Sequence, residues 1–260
     1  MSLKQHLDVV RQRIHEACRR CGRTSSAVTL VAVTKGVSAD VMQKAIALGV
    51  MELGENRVQE ARQKQNALGS RLKAQGNSLQ PSALSLQRHV RWHLIGHLQS
   101  NKVKRALELF DVIHSVDSLE LIEELERQAA KWAQGSRLKA QGGRAVASVG
   151  IFIQVNVSGE RTKFGCRPED TVALVRAVTQ GPHLSLRGLM TIAPFVEDPE
   201  RTRPHFQKLR RLRDDVAVAF SLEPSTLSLS MGMSQDFEVA IEEGADLVRI
   251  GSAIFGERST

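Results

Sequence analysis

Two apolar segments near the C-terminus each end in a step made of glycine and serine. Residues 227–234 read LSLSMGMS, and residues 246–252 read DLVRIGS. Backbone N–H groups at a glycine-rich turn form a site that binds anions such as phosphate. A helical pattern over 235–243 begins directly after the first step, which strengthens this interpretation. Because both segments predict strands, the two steps can converge on one phosphate group.

A lysine follows a third apolar segment, far upstream. Residues 28–36 read VTLVAVTKG, so Lys35 stands at the end of a predicted buried strand. Partial loss of hydration favours the neutral amine of a lysine, which is a nucleophile. A nucleophilic amine beside a phosphate site indicates a phosphorylated aldehyde cofactor, pyridoxal 5′-phosphate. For Lys35 considered alone, a solvated residue that caps the strand is the alternative.

Strand-like and helical segments alternate along the chain. The predicted strands cover 28–34, 51–55, 91–96, 111–116, 149–157, 184–192, 226–230 and 246–250. The predicted helices cover 39–48, 57–66, 100–108, 118–133, 168–179, 199–220 and 235–243, after an amphipathic helix within 1–20. This alternation over 260 residues predicts a single α/β domain, 1–260, that is a (β/α)8 TIM barrel with an extra N-terminal helix. An open doubly wound sheet is the alternative.

A closed barrel would bring these three segments together. Its eighth strand pairs with the first and the seventh, so Lys35 and both Gly/Ser steps would lie at the C-terminal ends of adjacent strands, where barrel active sites form. Side-chain alternation puts Leu247, Arg249 and Gly251 on the same side of strand eight. Arg249 therefore either faces the cofactor or pairs with an acidic group. Ser234 can cap a helix as well as bind phosphate.

Most of the excess positive charge lies elsewhere. The net charge of +8 comes largely from 67–90 and 135–149, which together hold six Lys and Arg residues and no acid. Each stretch contains one copy of the sequence GSRLKAQG. We interpret 69–88 and 135–145 as insertions in surface loops. Few aromatic residues accompany this charge, so a solvated basic surface is favoured over a nucleic-acid interface.

The cysteines and the apolar runs exclude other classes. Cys18 and Cys21 form one C-x-x-C pair and Cys166 is isolated, whereas zinc needs four ligands, so we expect reduced thiols and no metal. The apolar runs are too short for a membrane helix, and the charged N-terminus is unlike a signal peptide. We therefore expect a cytoplasmic protein with no membrane partner, and we expect it to be a monomer.

Nine segments in order along the chain resemble the pyridoxal phosphate homeostasis protein family, also called the proline synthetase co-transcribed homologue family. They are VAVTK at 31–35, LGENRVQE at 53–60, WHLIGHLQSNK at 92–102, IHSVD at 113–117, QVN at 154–156, KFG at 163–165, RGLMT at 187–191, LSMGMS at 229–234 and VRIGSAIFG at 248–256. The two basic insertions depart from this pattern, as does Ser252, where threonine is common in the family.

The resemblance implies a barrel like the N-terminal domain of alanine racemase, with pyridoxal 5′-phosphate held as a Schiff base. It assigns six residues to the cofactor site. They are the Schiff-base lysine Lys35, Asn56 near the ring, Arg249 facing the pyridine nitrogen, and Ser234, Gly251 and Ser252 at the phosphate. It leaves open whether His93 or His97 turns towards the site, and whether Lys163 is a second reactive amine or a solvated loop residue.

The chain contains no tyrosine at all. Racemases of the related fold place a tyrosine from a second domain opposite the lysine, and we expect no such domain after the eighth strand. Catalysis by this cofactor needs a second proton-transfer group across from the lysine. We therefore expect a carrier in cofactor homeostasis, with no catalytic residues, that delivers the cofactor to apo-forms of pyridoxal-phosphate enzymes. A pyridoxal-phosphate-dependent amino-acid racemase is the alternative.

Overall fold

In the computed structural model, which describes residues 1–74, 90–137 and 148–256, parallel strands close into a barrel in chain order, with β8 pairing with β1. The side chains of 71–74 and 135–137 are not part of this description. The strands are β1 (Thr29–Val33), β2 (Glu52–Glu55), β3 (Arg91–Leu94), β4 (Val112–Val116), β5 (Val149–Gln154), β6 (Leu184–Met190), β7 (Ser228–Ser230) and β8 (Leu247–Ile250). The (β/α)8 prediction is confirmed.

Helices follow the strands on the outside of the barrel. They are α1 (Leu3–Arg20), α2 (Ala39–Ala47), α3 (Val58–Ala74), α4 (Val103–Leu109), α5 (Leu119–Arg137), α6 (Thr171–Gln180), α7 (Arg203–Ala219), α8 (Phe237–Glu242) and α9 (Ser252–Phe255). Three of them begin later than the sequence predicts, because a short 3-10 turn precedes each: Ser100–Lys102, Pro168–Asp170 and Pro199–Thr202.

Alternation along the strands separates an outer core from the barrel interior. Val248 and Ile250 belong to the large core between strands and helices, whereas Leu247 packs with an inner layer formed by Val112, Phe152 and Met190. This confirms the predicted sidedness of β8. Buried polar side chains, among them His93, His114, Ser230 and Arg249, accompany these apolar residues.

The repeated GSRLKAQG sequence is the place where the loop prediction needs correction. Helix α3 continues to Ala74 and α5 to Arg137, so the first residues of the proposed insertions 69–88 and 135–145 are helical. The physical reason is that Arg, Leu, Lys and Ala are good helix formers and extend a helix that has already begun. The remainder, 75–89 and 138–147, lies outside the described residues, so there the loop interpretation stays a prediction.

The N-terminal helix α1 covers the seam between the end and the start of the barrel. A capping box between Ser2 and Gln5 begins it, and its buried face packs against α8 and α9. Arg13 on this helix forms an ion pair with Glu238, with 2.8 Å between nitrogen and oxygen. Cys18 is buried and unpaired in this interface. Among the described residues, no cluster of His, Cys, Asp and Glu could bind a metal, and no helix is both long and apolar enough to span a membrane.

Candidate functional site

A cavity of about 480 Å³ opens at the C-terminal ends of the strands. This volume is in the range of sites for small molecules and cofactors. Five of the six residues that the sequence assigned to the site line it: Asn56, Ser234, Arg249, Gly251 and Ser252. They come from loops after β2, β7 and β8 and from β8 itself, so the predicted convergence of these segments is present.

The two Gly/Ser steps meet through one hydroxyl. The Ser234 Oγ accepts hydrogen bonds from the backbone N–H groups of Gly251, at 3.2 Å, and Ala253, at 3.4 Å. Ser234 therefore does not cap the helix that follows it. Asp236 stands at the N-cap position of that helix, but its carboxylate accepts from the Met233 N–H of the preceding turn, at 2.6 Å, and makes no capping hydrogen bond to the helix. The result is a group of N–H and hydroxyl donors at one end of the cavity, which suits an anion.

The first of these steps depends on a glycine. Gly232 has a φ of +92°, which L-residues with side chains rarely adopt. A Cβ at this position would lie 2.6 Å from the Cβ of Ala240 and 2.9 Å from the Cα of Phe237. The absence of a side chain thus lets α8 pack directly under the turn that presents Ser234.

Arg249 lies at another part of the cavity wall and is only 3% exposed. Its guanidinium donates to the Ser230 Oγ and to the Thr191 carbonyl oxygen, both at 2.7 Å. Burial lowers the pKa of Arg249 to about 10, against the opposing charge of Asp236. With this pKa, Arg249 is a buried cation at neutral pH, and it faces the cavity. Among the described residues no carboxylate forms an ion pair with it.

Asp236 is the other charged group of the cavity wall, and it is 6% exposed. Burial raises the pKa of its carboxyl, although the hydrogen bond from Met233 and the charge of Arg249 act in the opposite direction. The charges of Asp236, in the turn after β7, and Arg249, on β8, therefore act on each other.

Lys35 lies at the rim and does not itself line the cavity in this structure. It is exposed and follows β1 by two residues, while Val33, two positions before it, is part of the cavity wall. Lys35 occupies the second position of a tight turn that is closed by a 2.8 Å hydrogen bond from the Val37 N–H to the Thr34 carbonyl. Gly36, with φ +70°, takes the third position, where a type II turn requires a positive φ.

A buried ion-pair cluster holds this turn from behind. The Lys64 ammonium donates to the Thr34 carbonyl, to Glu55 at 2.7 Å and to Glu60 at 2.6 Å. The Thr34 hydroxyl also donates to Glu55, and Glu60 accepts from the Gly36 N–H at 2.6 Å. Both peptide neighbours of Lys35 are thereby fixed. We call Glu55, Glu60 and Lys64 the turn clamp.

Charges in the turn clamp are strongly perturbed by their surroundings. Burial raises the pKa of Glu55, which is 0% exposed, against hydrogen bonds from Lys64 and Thr34. For Glu60 burial acts in the same direction, but the bonds from Lys64 and the Gly36 N–H outweigh it and lower the pKa. The sequence analysis missed this cluster. The i, i+4 spacing of Glu60 and Lys64 on a helix was the available signal.

Asn56 reaches the cavity from the loop after β2. A Cβ on Gly96 would lie 2.4 Å from the Asn56 carbonyl oxygen, so the chain after β3 passes in direct contact with this backbone. The close approach fixes the position of Asn56 relative to Gly96 and His97, which also line the cavity.

The fold separates the three residues whose role the sequence left open, His93, His97 and Lys163. His97 is exposed at the cavity wall and stacks on Phe164, with ring centroids 4.1 Å apart, whereas His93 is buried inside the barrel. The Lys163 ammonium lies 3.1 Å from Glu160 and is not part of the cavity wall. Phe164 and Phe195 form an exposed apolar rim, at 57% and 80% exposure.

Comparison with known proteins agrees with this geometry. The family model of the alanine racemase N-terminal domain matches residues 5–259. A pyridoxal phosphate homeostasis protein from Aquifex aeolicus is 40% identical over 258 residues, which cover 99% of each chain. PipY of Synechococcus elongatus, whose structure was solved with pyridoxal phosphate bound, is 32% identical at a TM-score of 0.73, over 98% of this chain and 100% of that one.

More distant structures share the fold alone. Alanine racemase from Clostridium difficile is 13% identical with a TM-score of 0.64, and the match covers 99% of this chain and 57% of that enzyme. The full-length family match and the 40% identity of a relative over nearly its whole length decide the classification. The chain belongs to the pyridoxal phosphate homeostasis proteins, within the family of alanine racemase N-terminal domains.

Proposed function

We propose that this protein binds pyridoxal 5′-phosphate in the cavity, holds it covalently through Lys35 and passes it to other proteins without turning over amino acids. The observation that carries the proposal is the arrangement around one cavity. An anion-binding group of donors lies at Ser234 and Gly251, a buried cation lies at Arg249, and the turn that bears Lys35 is fixed at the rim.

The residues present fit this cofactor. Its phosphate requires several N–H and O–H donors, and the Ser234 and Ser252 hydroxyls lie at the cavity wall to supply two of them. The Gly251 and Ala253 amides, which donate to the Ser234 Oγ in this structure, would exchange that acceptor for a phosphate oxygen. Arg249 offers a fixed guanidinium to the ring, with two of its nitrogen atoms already bound to protein oxygens. When bound, the cofactor supplies an aldehyde that condenses with a primary amine and releases one water.

Lys35 has the freedom that this role requires. Its backbone is held by the turn clamp, while its side chain is exposed and takes no part in the clamp. Rotation of an exposed lysine side chain takes place in picoseconds to nanoseconds, so the amine can turn into the cavity from a fixed base. Precise anchoring of the backbone then keeps the effective concentration of the amine high.

The composition of the cavity wall supports a carrier over an enzyme. The chain has no tyrosine, and the titratable groups of the described wall other than Arg249 are His97 and Asp236. Asp236 is committed to the Met233 N–H, and His97 to stacking on Phe164. The name of the relatives, pyridoxal phosphate homeostasis protein, points in the same direction. We propose that the protein is a cytoplasmic monomer. The recipients of its cofactor would be apo-forms of pyridoxal-phosphate enzymes.

Two assays on one preparation test this function. The loaded protein is mixed with an apo-form of a pyridoxal-phosphate enzyme, and the recovery of that enzyme's activity is followed against free cofactor at the same concentration. Racemisation of common amino acids is measured in parallel by chiral chromatography. We expect transfer and no racemisation above free cofactor. Steady-state racemisation that is lost in Lys35→Ala would establish the racemase instead, and His97→Asn would then test its second proton donor.

A further inference from the structure

A continuous line of hydrogen bonds crosses the barrel interior and ends on Arg249. The Ser230 Oγ, which accepts from Arg249, lies 2.9 Å from the Nδ1 of His114. The Nε2 of His114 lies 2.8 Å from the Nδ1 of His93, whose Nε2 lies 2.6 Å from a carboxylate oxygen of Glu52. The five side chains come from β8, β7, β4, β3 and β2. We call Glu52, His93, His114 and Ser230 the interior relay.

One set of donor directions satisfies every bond in this line. A guanidinium can only donate, so the Ser230 Oγ accepts from Arg249, and the serine hydroxyl can in turn donate to the Nδ1 of His114. The Nε2–H of His114 then donates to the Nδ1 of His93, and the Nε2–H of His93 donates to the carboxylate of Glu52. This set places the ring proton of each histidine on Nε2.

The surroundings keep His114 uncharged, as this arrangement requires. Burial lowers the pKa of His114 well below its ordinary range, and the charge of Arg249 adds to the effect. Phe152 stacks on the His114 ring with centroids 4.5 Å apart, which leaves no room for water on that face. At the other end burial acts to raise the pKa of Glu52, but hydrogen bonds from His93 and Arg91 lower it. The line therefore joins a buried cation on β8 to a carboxylate on β2.

We propose that the interior relay positions Arg249 for the cofactor ring, by giving the Ser230 hydroxyl a fixed acceptor and so giving the guanidinium a fixed partner. This inference rests on the proposed function. Removing the acceptor on His114 leaves the Ser230 side chain held by Arg249 alone, so the position of the serine oxygen and of the guanidinium is less fixed. None of the four relay residues lines the cavity, so they are positioning residues that act through Arg249.

The first test uses the cofactor-free protein. Nitrogen-15 chemical shifts report the tautomer of each histidine ring, and we expect the Nε2–H form of both His93 and His114. A charged ring or an Nδ1–H tautomer at either position would overturn the donor order. This measurement needs no variant and no cofactor, so a failure of the proposed function leaves it intact.

The second test compares two variants of the same residue. His114→Asn keeps an acceptor near the position of Nδ1, whereas His114→Leu removes it. We expect His114→Leu to bind pyridoxal 5′-phosphate about tenfold or more weakly, as for loss of a hydrogen bond to a charged group, and to shift the absorbance maximum of the bound cofactor. His114→Asn should restore most of both properties.

A histidine outside the barrel supplies the matched control. His183 pairs with Glu126 at 2.5 Å on the surface, so His183→Leu removes a similar pair without touching the relay. We expect wild-type affinity and spectrum in this control. If His114→Leu binds like wild type with an unchanged spectrum, the positioning role is wrong. If His114→Leu does not fold, Ser230→Ala replaces it in the same assay, and we again expect about tenfold weaker binding. Wild-type affinity with an unchanged spectrum in Ser230→Ala would contradict the positioning role. Failure of the wild-type protein to bind would instead contradict the proposed function.

Discussion

Replacement of Lys64 by methionine should destabilise the protein and loosen the turn that carries Lys35. The Lys64 ammonium bonds with the Thr34 carbonyl, Glu55 and Glu60, and the Glu55 side chain is 0% exposed. Removal of one partner from a buried ion pair leaves an uncompensated charge and costs about 3–5 kcal/mol. Methionine keeps the volume of the stem, so little of this loss comes from packing. We expect the free energy of unfolding to fall by about that amount at neutral pH.

The pH dependence of this effect follows from Glu55. Burial raises the pKa of its carboxyl above the ordinary 4.5, so the folded state holds the proton more tightly than the unfolded state. Such a group makes stability fall as the pH rises from 4.5 through the folded pKa. Lys64→Met removes a hydrogen bond that lowers the pKa of Glu55, so this pKa is higher still in the variant. The fall in stability with rising pH then continues to a higher pH than in the wild-type protein. The deficit of the variant should therefore shrink on acidification towards pH 4.5.

Urea unfolding followed by circular dichroism at several pH values measures this deficit. Lys4→Met is the control, since Lys4 pairs with Asp8 on the exposed face of α1 at 69% and 51% side-chain exposure. That variant should behave like wild type. The double variant Lys64→Met with Glu55→Gln removes the buried charge as well and should regain much of the loss. A Lys64→Met deficit below about 1 kcal/mol, the size of a surface pair, would refute the clamp.

Three further outcomes are expected. Ser234→Ala should weaken cofactor binding by about 1–3 kcal/mol in calorimetry, the range for lost hydrogen bonds to charged groups; an unchanged affinity would place the phosphate elsewhere. Gly232→Val should lower the melting temperature, because its Cβ would lie 2.6 Å from Ala240 at a φ of +92°; a wild-type melting curve would contradict this. Replacement of 75–87 and 138–144 by short polar linkers should keep cofactor binding and lower the isoelectric point, and loss of binding would show that they support the barrel.

The elements that position the site could be predicted from the sequence because their signals are local. Alternation along β8 put Leu247, Arg249 and Gly251 on the inner side, and the glycine steps marked the ends of β7 and β8. Barrel closure then followed from the number of strands. The predicted strands extend past the observed ends of β3, β5 and β6, since strand pairing stops where the chain turns into the loops of the site.

The partners of individual polar groups could not be predicted in the same way. Ser230 and His114 are 116 positions apart, and only the closed barrel brings them to 2.9 Å. Ser234 could have capped the helix that follows it, but that helix begins only after Asp236, and the Ser234 hydroxyl accepts from the amides after β8 instead. Lys35 was assigned to the cofactor from its place beyond β1, and the structure leaves its side chain exposed at the rim. Its assignment therefore stays a prediction.

The covalent position of the cofactor is the most direct test of the account. The purified protein is incubated with pyridoxal 5′-phosphate, its absorbance spectrum is recorded, and the complex is reduced with borohydride before peptide mapping by mass spectrometry. Lys35→Ala is compared with Lys163→Ala, since Lys35 follows β1 and Lys163 lies in the segment between β5 and α6. The account predicts a yellow protein with the pyridoxyl label on Lys35, and loss of the band in Lys35→Ala alone. A label on Lys163 or another amine in the wild-type protein, with the band intact in Lys35→Ala, would contradict it.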